Sequence, residues 1–292
     1  MHSMSTSIYR HHVRTSLSNP VLDGILPVKC NIDHSTMNHA QDQLFYRCYS
    51  DTSAGRLRSG EYYDGHPALT SGDLLVEFDR HRMLGNREPT ALVSVTERPL
   101  EAVQRALAKY RINGEPPKTI WVVIIRVPGG KEYQKPHHAR KLAKTLGLKD
   151  ADVFNYEYLF EWEIPREYIE HTISVERLIY RKIEQLLGLH NLAYGFPGFR
   201  ELQDTLLDCV LEPDLYGTGR WLGALAQAMC PRNSIYEVAF HILRSLPSGW
   251  RIYEHQQIVS FNLRGQAETL DFSDICVIEL GIRDQLDSYF GI

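Results

Sequence analysis

Four carboxylates crowd the stretch VFNYEYLFEWEIPREYI, residues 153–169: Glu157, Glu161, Glu163 and Glu167 stand among aromatic and aliphatic side chains. An ionised acid is costly to bury unless it is paired, and the first three occupy what reads as a buried strand. Two distant segments carry other polar groups fit for chemistry. Arg47 lies inside the aromatic-rich run LFYRCYS. A guanidinium there offers several donors to oxygen acceptors and stays charged. Ser94 and Thr96 close the apolar run ALVSVT and lead into ERPLEAV. Each has a plain structural reading beside the chemical one. Arg47 suits the surface of an edge strand, Ser94-x-x-Glu97 is a helix capping box, and Thr96 is an alternative cap. Alternation along an unbroken strand sends Asn155, Glu157, Glu161 and Glu163 to one face, so parity does not choose among the acids.

These residues depend on the elements that carry them. LFYRCYS (44–50) predicts a strand, DTSAGRLRSG a short helical turn closed by Gly60, and GDLLVEFDRHRML (72–84) a short helix. TALVSV (90–95) predicts a strand and TERPLEAVQRALAKYRI a helix, with Leu100, Val103, Leu107 and Tyr110 on one face. TIWVVIIRV (119–127) is the strongest strand signal, ARKLAKTLGLKD a solvated helix, and the acidic stretch a strand, a turn at IPRE and a short strand at YIEHTISV. From about residue 180 the texture is mainly helical, followed by a hairpin signal in WRIYEHQQIVSFNLRG and a tail, DICVIELGIRDQLDSYF, ambiguous between helix and strand. Residues 1–41 lack periodicity and predict a flexible leader with a short extended piece at GILPVKC. The expected organisation is thus a leader 1–41, a domain 42–180 and a mainly helical region 181–292.

Composition narrows the function classes. The 292-residue chain has 43% hydrophobic and 23% charged residues, which is globular, and a formal net charge of -4. That balance gives no electrostatic case for nucleic acid or a membrane surface. No apolar run is long enough to span a bilayer. The N-terminus lacks the apolar segment of a secretory signal, which predicts a cytoplasmic or nuclear protein. The five cysteines form no CxxC pair, so reduced thiols and no metal site are expected.

The order of segments resembles the Arg-Ser-Glu class of ADP-ribosyltransferases, of cholera-toxin-like and heat-labile-enterotoxin-like fold, and within that fold an uncharacterised fungal family. The likeness rests on the Arg in LFYRCYS, the Ser-x-Thr before a helix in ALVSVTERPLEAV, and the Glu before an Ile-Pro turn in NYEYLFEWEIPREYI, and it covers roughly residues 42–175. It implies an α+β split β-sandwich with flanking helices, the C-terminal third being extra. It implies NAD as substrate, with Arg47 contacting NAD, Ser94 and Thr96 shaping the nicotinamide pocket, and His81 a further NAD contact. The family's Ser-Thr-Ser becomes Ser94-Val95-Thr96. Its catalytic Glu stands seven positions before the Ile of the turn, which is Glu157 here, leaving Glu161, Glu163 and Glu167 as rim residues. Two residues earlier, at the acceptor-recognition position, the usual Glu or Gln is replaced by Asn155. Asn155 bonds but is no base, so the macromolecular or small-molecule acceptor stays open, as does NAD hydrolysis.

The chemistry suits one carboxylate. Loss of nicotinamide passes through an oxocarbenium-like transition state, and the cationic pyridinium leaves without a general acid. One anion then holds the ribose 2'-hydroxyl and stabilises the developing positive charge. The alternative is a catalytically inactive interaction module on the same scaffold, favoured by Val95, Asn155 and the extra C-terminal third. Gly217-x-Gly219 is too little for a dinucleotide fingerprint, and His137-His138 reads as a solvated loop.

Overall fold

The β-branched run IWVVIIRV becomes the spine of the sheet, as its composition demands. The computed structural model describes residues 42–83, 88–130, 133–189, 195–210, 214–246, 248–253, 258–263, 266–270 and 272–290. The predicted leader 1–41, with GILPVKC, lies outside them. Strands β1 (Gln43–Ser50), β2 (Leu92–Thr96), β3 (Ile120–Val127), β4 (His137–His138), β5 (Glu157–Glu161) and β6 (Ile169–Ser174) form a six-stranded sheet of order β4-β5-β2-β1-β3-β6. Every neighbouring pair is antiparallel. Helices α1 (Ser71–His81), α2 (Pro99–Arg111), α3 (Ala139–Thr145) and α4 (Val175–Tyr180) accompany it, so the architecture is α+β.

The C-terminal part adds α5 (Ile183–Leu186), α6 (Phe199–Val210), α7 (Leu215–Met229) and α8 (Ile235–Ser245). A meander of β7 (Ser248–Tyr253), β8 (Ile258–Leu263) and β9 (Gln266–Leu270) follows, and then α9 (Phe272–Phe290). The ambiguous tail is therefore a helix. Among the described residues no helix is long and apolar enough to cross a membrane.

Alternation assigns the two faces of the sheet. Leu44, Tyr46, Ile120, Val122 and Ile124 pack with Leu100, Val103 and Leu107 of α2, and the same apolar cluster continues through Leu222, Ile242 and Ile278. Phe45, Val93, Val95, Val123, Ile125 and Phe160 form a second cluster on the other face. Leu74 and Phe78 of α1 join Leu92, Leu159 and the buried Ala139 and Ala143 of α3 in a third. The helix expected to be merely solvated thus buries one stripe.

Several expectations change. DTSAGRLRSG forms turns and bends, not a helical turn, and Arg58 makes an isolated antiparallel bridge to Glu163. His137-His138 is strand β4, paired with Leu159 and Tyr158 of β5, rather than a loop. Gly217 and Gly219 lie inside α7. Cys48 and Cys230 are free, but Cys276 is in a disulfide, so the thiols are not all reduced.

One irregularity of the sheet matters most. Strands β1 and β3 pair over their whole length, from Gln43↔Val127 to Ser50↔Ile120, whereas β1 and β2 meet only at Tyr46↔Thr96. Beyond that pair the two strands part.

Candidate functional site

Arg47 fills the parting. Its Nη1 donates to the Ser94 carbonyl of β2 at 2.5 Å, and its Nε and Nη2 donate to the carbonyls of Arg56 and Gly55 at 2.7 and 2.8 Å. A side chain therefore supplies donors where the strand ladder stops, as buried carbonyls require. Arg47 is not a free surface arginine; it braces β1, β2 and the loop after β1. Burial pulls its pKa down to about 10, which leaves it charged at neutral pH.

Two cavities share Arg47 and Ser94 as a common wall. The first, about 90 Å3, is lined by Arg47, Ser94, Thr96, Arg105, Tyr156 and Glu157, with Arg98 and Glu101 of the α2 side. The second, about 260 Å3, is lined by Arg47, Ser94, His81, Thr90, Gly55 and Gly60 among others. Residues nominated from three separate strands and from α1 are thereby brought to adjoining space.

Glu157 opens β5 directly opposite Thr96. It is half-buried, and its carboxylate makes no hydrogen bond or ion pair among the described residues. Burial raises its pKa, Arg105 opposes that, Glu101 adds to it, and Arg47 opposes it. Two of the other acids are engaged elsewhere. Glu161 accepts from Leu69 N at 2.8 Å and pairs with His137 Nε2 at 2.7 Å. Glu163 is bound by Arg58 Nε at 2.8 Å, and Glu167 is exposed. A carboxylate facing a cavity beside cations, without a partner of its own, is a group available to a ligand.

The capping box does not form. Ser94 sits inside β2, and the N-cap of α2 is Arg98, which has no side-chain cap bond. Thr96 takes that work instead: its Oγ1 accepts from Arg98 N at 3.1 Å and donates to Glu101 Oε2 at 2.9 Å. Asn155 ends a 3-10 turn with φ -55° and ψ -29°, ahead of the strand, so the alternation that paired it with Glu157 does not apply. It lies outside the walls of both cavities, and its carbonyl is bonded to His138 Nε2 at 3.0 Å.

Sequence reasoning missed Arg98, Arg105 and Tyr156. Arg98 stacks on the Tyr156 ring at 3.3 Å from its centroid, and Arg105 Nη2 pairs with Glu101 at 2.6 Å. The signal was present in α2: positions 98, 101 and 105 fall at helical spacing, on the polar stripe opposite Leu100, Val103 and Leu107. Among the described residues no His/Cys/Asp/Glu group is arranged to hold a metal.

His81 is held neutral. Its Nδ1 is 2.8 Å from Thr90 Oγ1, and burial, together with the Arg47 charge, pushes its pKa from the usual 6.5 down to about 4. A folded-state pKa below the unfolded one means that this stabilisation is present above pH 6.5 and is lost as pH falls toward 4. The expected result is a urea midpoint that drops between pH 7 and pH 4.5, with a smaller drop in His81→Asn. Equal drops in both proteins would remove His81 as a contributor.

Residues 40–178 match the family model described as Domain of unknown function (DUF7587), while no curated protein and no solved structure matches the chain.

Proposed function

We propose that this protein cleaves the nicotinamide–ribose bond of NAD and transfers ADP-ribose to an acceptor or to water, on an ADP-ribosyltransferase-like split sheet. One observation carries the reading. Arg47, Ser94, Thr96 and Glu157, from strands far apart in sequence, line a single cavity; Glu157 is the one of the four acids that reaches it, and its carboxylate is unpaired among the described residues. The space beside Glu157, about 90 Å3, is where the nicotinamide ribose would sit. The adjoining space past Arg47 suits the rest of the dinucleotide.

In this reading Glu157 receives the ribose 2'-hydroxyl and faces the positive charge that grows on the ribose as nicotinamide departs. Arg47 keeps the strands apart and has N–H groups left for phosphate or ribose oxygens. Tyr156, stiffened by the Arg98 guanidinium on its face, borders the reacting centre. The ionised form of Glu157 is the active one. Because burial raises its pKa, activity should fall on the acid side at a pH above the ordinary Glu range.

The test is nicotinamide release from NAD by the purified full-length protein, followed over pH. Release with an acid limb shifted upward supports the reading. Absence of release, with and without candidate acceptors, leaves the inactive interaction module in its place.

A further inference from the structure

A third cavity shares no residue with the two around Arg47. It measures about 550 Å3 and lies among α4, the turn into α5, the C-terminal end of α7 and the start of α8. That volume is in the range of small-molecule sites, roughly 300–1,000 Å3. Arg177, Arg181, Lys182 and Arg232 line it, and no Asp or Glu does, in a chain whose net charge is -4. Arg177, Lys182 and Arg232 are exposed and Arg181 is half-buried, so the recess is positive both at its rim and in its wall.

The wall also presents unmet donors. The Nε2 of Gln227 is buried without an acceptor. The ammonium of Lys182 makes no hydrogen bond or ion pair among the described residues. The Arg177 guanidinium lies over the Tyr180 ring at 4.8 Å from its centroid and has no carboxylate partner among the described residues. Arg181 Nη1 donates to the carbonyls of Gln227 and Ala228 at 3.2 and 3.3 Å, which orients the rest of its fork. Lys182 is held at φ 61°, a left-handed conformation that disfavours side chains. Glycine would take that position without strain, so what lysine adds there is its charge.

We infer that this cavity binds a phosphate ester of nucleotide size, whose oxygens accept from Gln227 Nε2 and from Arg177, Arg181 and Lys182. A single carboxylate would leave several cations uncompensated, whereas a multiply charged phosphate ester balances them and accepts along many directions. The ester is either soluble or borne on a lipid headgroup, and Tyr180, 73% exposed, stands on the wall in both cases. This inference does not rest on NAD cleavage.

The probe is inositol hexakisphosphate, which lacks the nucleobase and nicotinamide that would suit the other cavities. Calorimetric titration of the full chain should show binding that weakens with added salt. The pair Lys182→Gly and Arg177→Gln should weaken it about tenfold or more. Lys182→Gly also relieves the positive φ, so the variant keeps its fold, which thermal melting verifies. Lys149→Glu, at an exposed lysine outside the cavity, and Glu157→Gln should leave affinity unchanged. In parallel, co-sedimentation with vesicles containing phosphatidylinositol bisphosphate, lost in the same pair, would assign the phosphate to a lipid. Calorimetric binding without co-sedimentation would assign it to a soluble ester. No binding in either arm, or equal binding by the pair variant, overturns the inference.

Discussion

Glu157→Gln is expected to lower nicotinamide release from NAD by about 10^2- to 10^3-fold, the usual scale for removing one charge-stabilising group, while making the protein harder to unfold. The two effects have one cause. The Glu157 carboxyl has a folded-state pKa above its ordinary value because burial disfavours the anion, with Arg105 and Arg47 offsetting only part of that. A group that binds its proton more tightly when folded loses stability as pH rises from the ordinary Glu range through the raised value. At neutral pH Glu157 therefore works against the fold, and a neutral amide of the same shape removes the strain. The gain in unfolding midpoint should vanish below the ordinary Glu range, where both side chains are neutral. Urea titrations at pH 7 and pH 4, set beside turnover, separate lost chemistry from lost structure. A variant that turns over NAD at the native rate would strip Glu157 of the role proposed for it; Glu167→Gln, at an exposed site, is the control.

The largest stability effect is expected at Gly219→Ala. A Cβ at Gly219 would overlap the carbonyl oxygen of Ile278 and come within 2.9 Å of Gly281 Cα, and a Cβ at Gly281 would overlap the carbonyl of Tyr216. Helices α7 and α9 thus touch backbone to backbone, with no flexible side chain to yield. Overpacking of this kind costs about 1–3 kcal/mol and sometimes more, and the better helix propensity of alanine returns only about 1 kcal/mol. Because the overlap is with backbone, the cost lies at or above the upper end of that range, and a net loss of about 2 kcal/mol or more is expected in urea unfolding. Gly223→Ala, one turn along α7, is the informative contrast. Its Cβ meets Gln285 Cβ at 3.1 Å and the Ile282 carbonyl oxygen at 3.3 Å, tight contacts relieved by a shift of about a few tenths of an ångström rather than a backbone overlap, so the loss should be clearly smaller than at Gly219. Equal losses at the two sites would mean that the helices do not make this close approach.

The two glycines mark where sequence reading ran short. Gly217-x-Gly219 offers nothing as a nucleotide fingerprint, and the reason for Gly219 is a helix about sixty residues later that no local pattern announces. By contrast β3, α1 and α2 were legible because β-branched runs and helical spacing act locally. The acidic stretch shows both situations within a few residues. Counting back from the Ile-Pro turn selects Glu157, but parity does not exclude Glu161, which shares its face of β5, and it stops applying to Glu163 because Trp162 adopts φ 62°. There Glu163 N donates to the Glu161 carbonyl at 2.6 Å, a three-residue turn that ends the alternation. What then disposes of Glu161 and Glu163 is Leu69, His137 and Arg58, partners that arrive only with the tertiary fold. The same holds for Arg47, whose type and strand were readable. Its task as a brace depends on β1 and β2 parting after one pair.

The apolar cluster on the α2 side of the sheet runs past the segment that matches the family model. Similarity to the family model stops at residue 178, yet Leu44, Tyr46 and Leu107 belong to one buried apolar cluster with Leu222, Ile242 and Ile278. A fragment of residues 40–178 would keep α2 on that face but lose the C-terminal part of the apolar cluster, and should self-associate when expressed alone. Tyr46 and Ala102 belong both to that cluster and to the wall of the Glu157 cavity. Drift in the C-terminal helices, outside the matched segment, would therefore be felt at the cleft through packing, and relatives that share residues 40–178 but differ beyond them would share a motif without sharing its geometry.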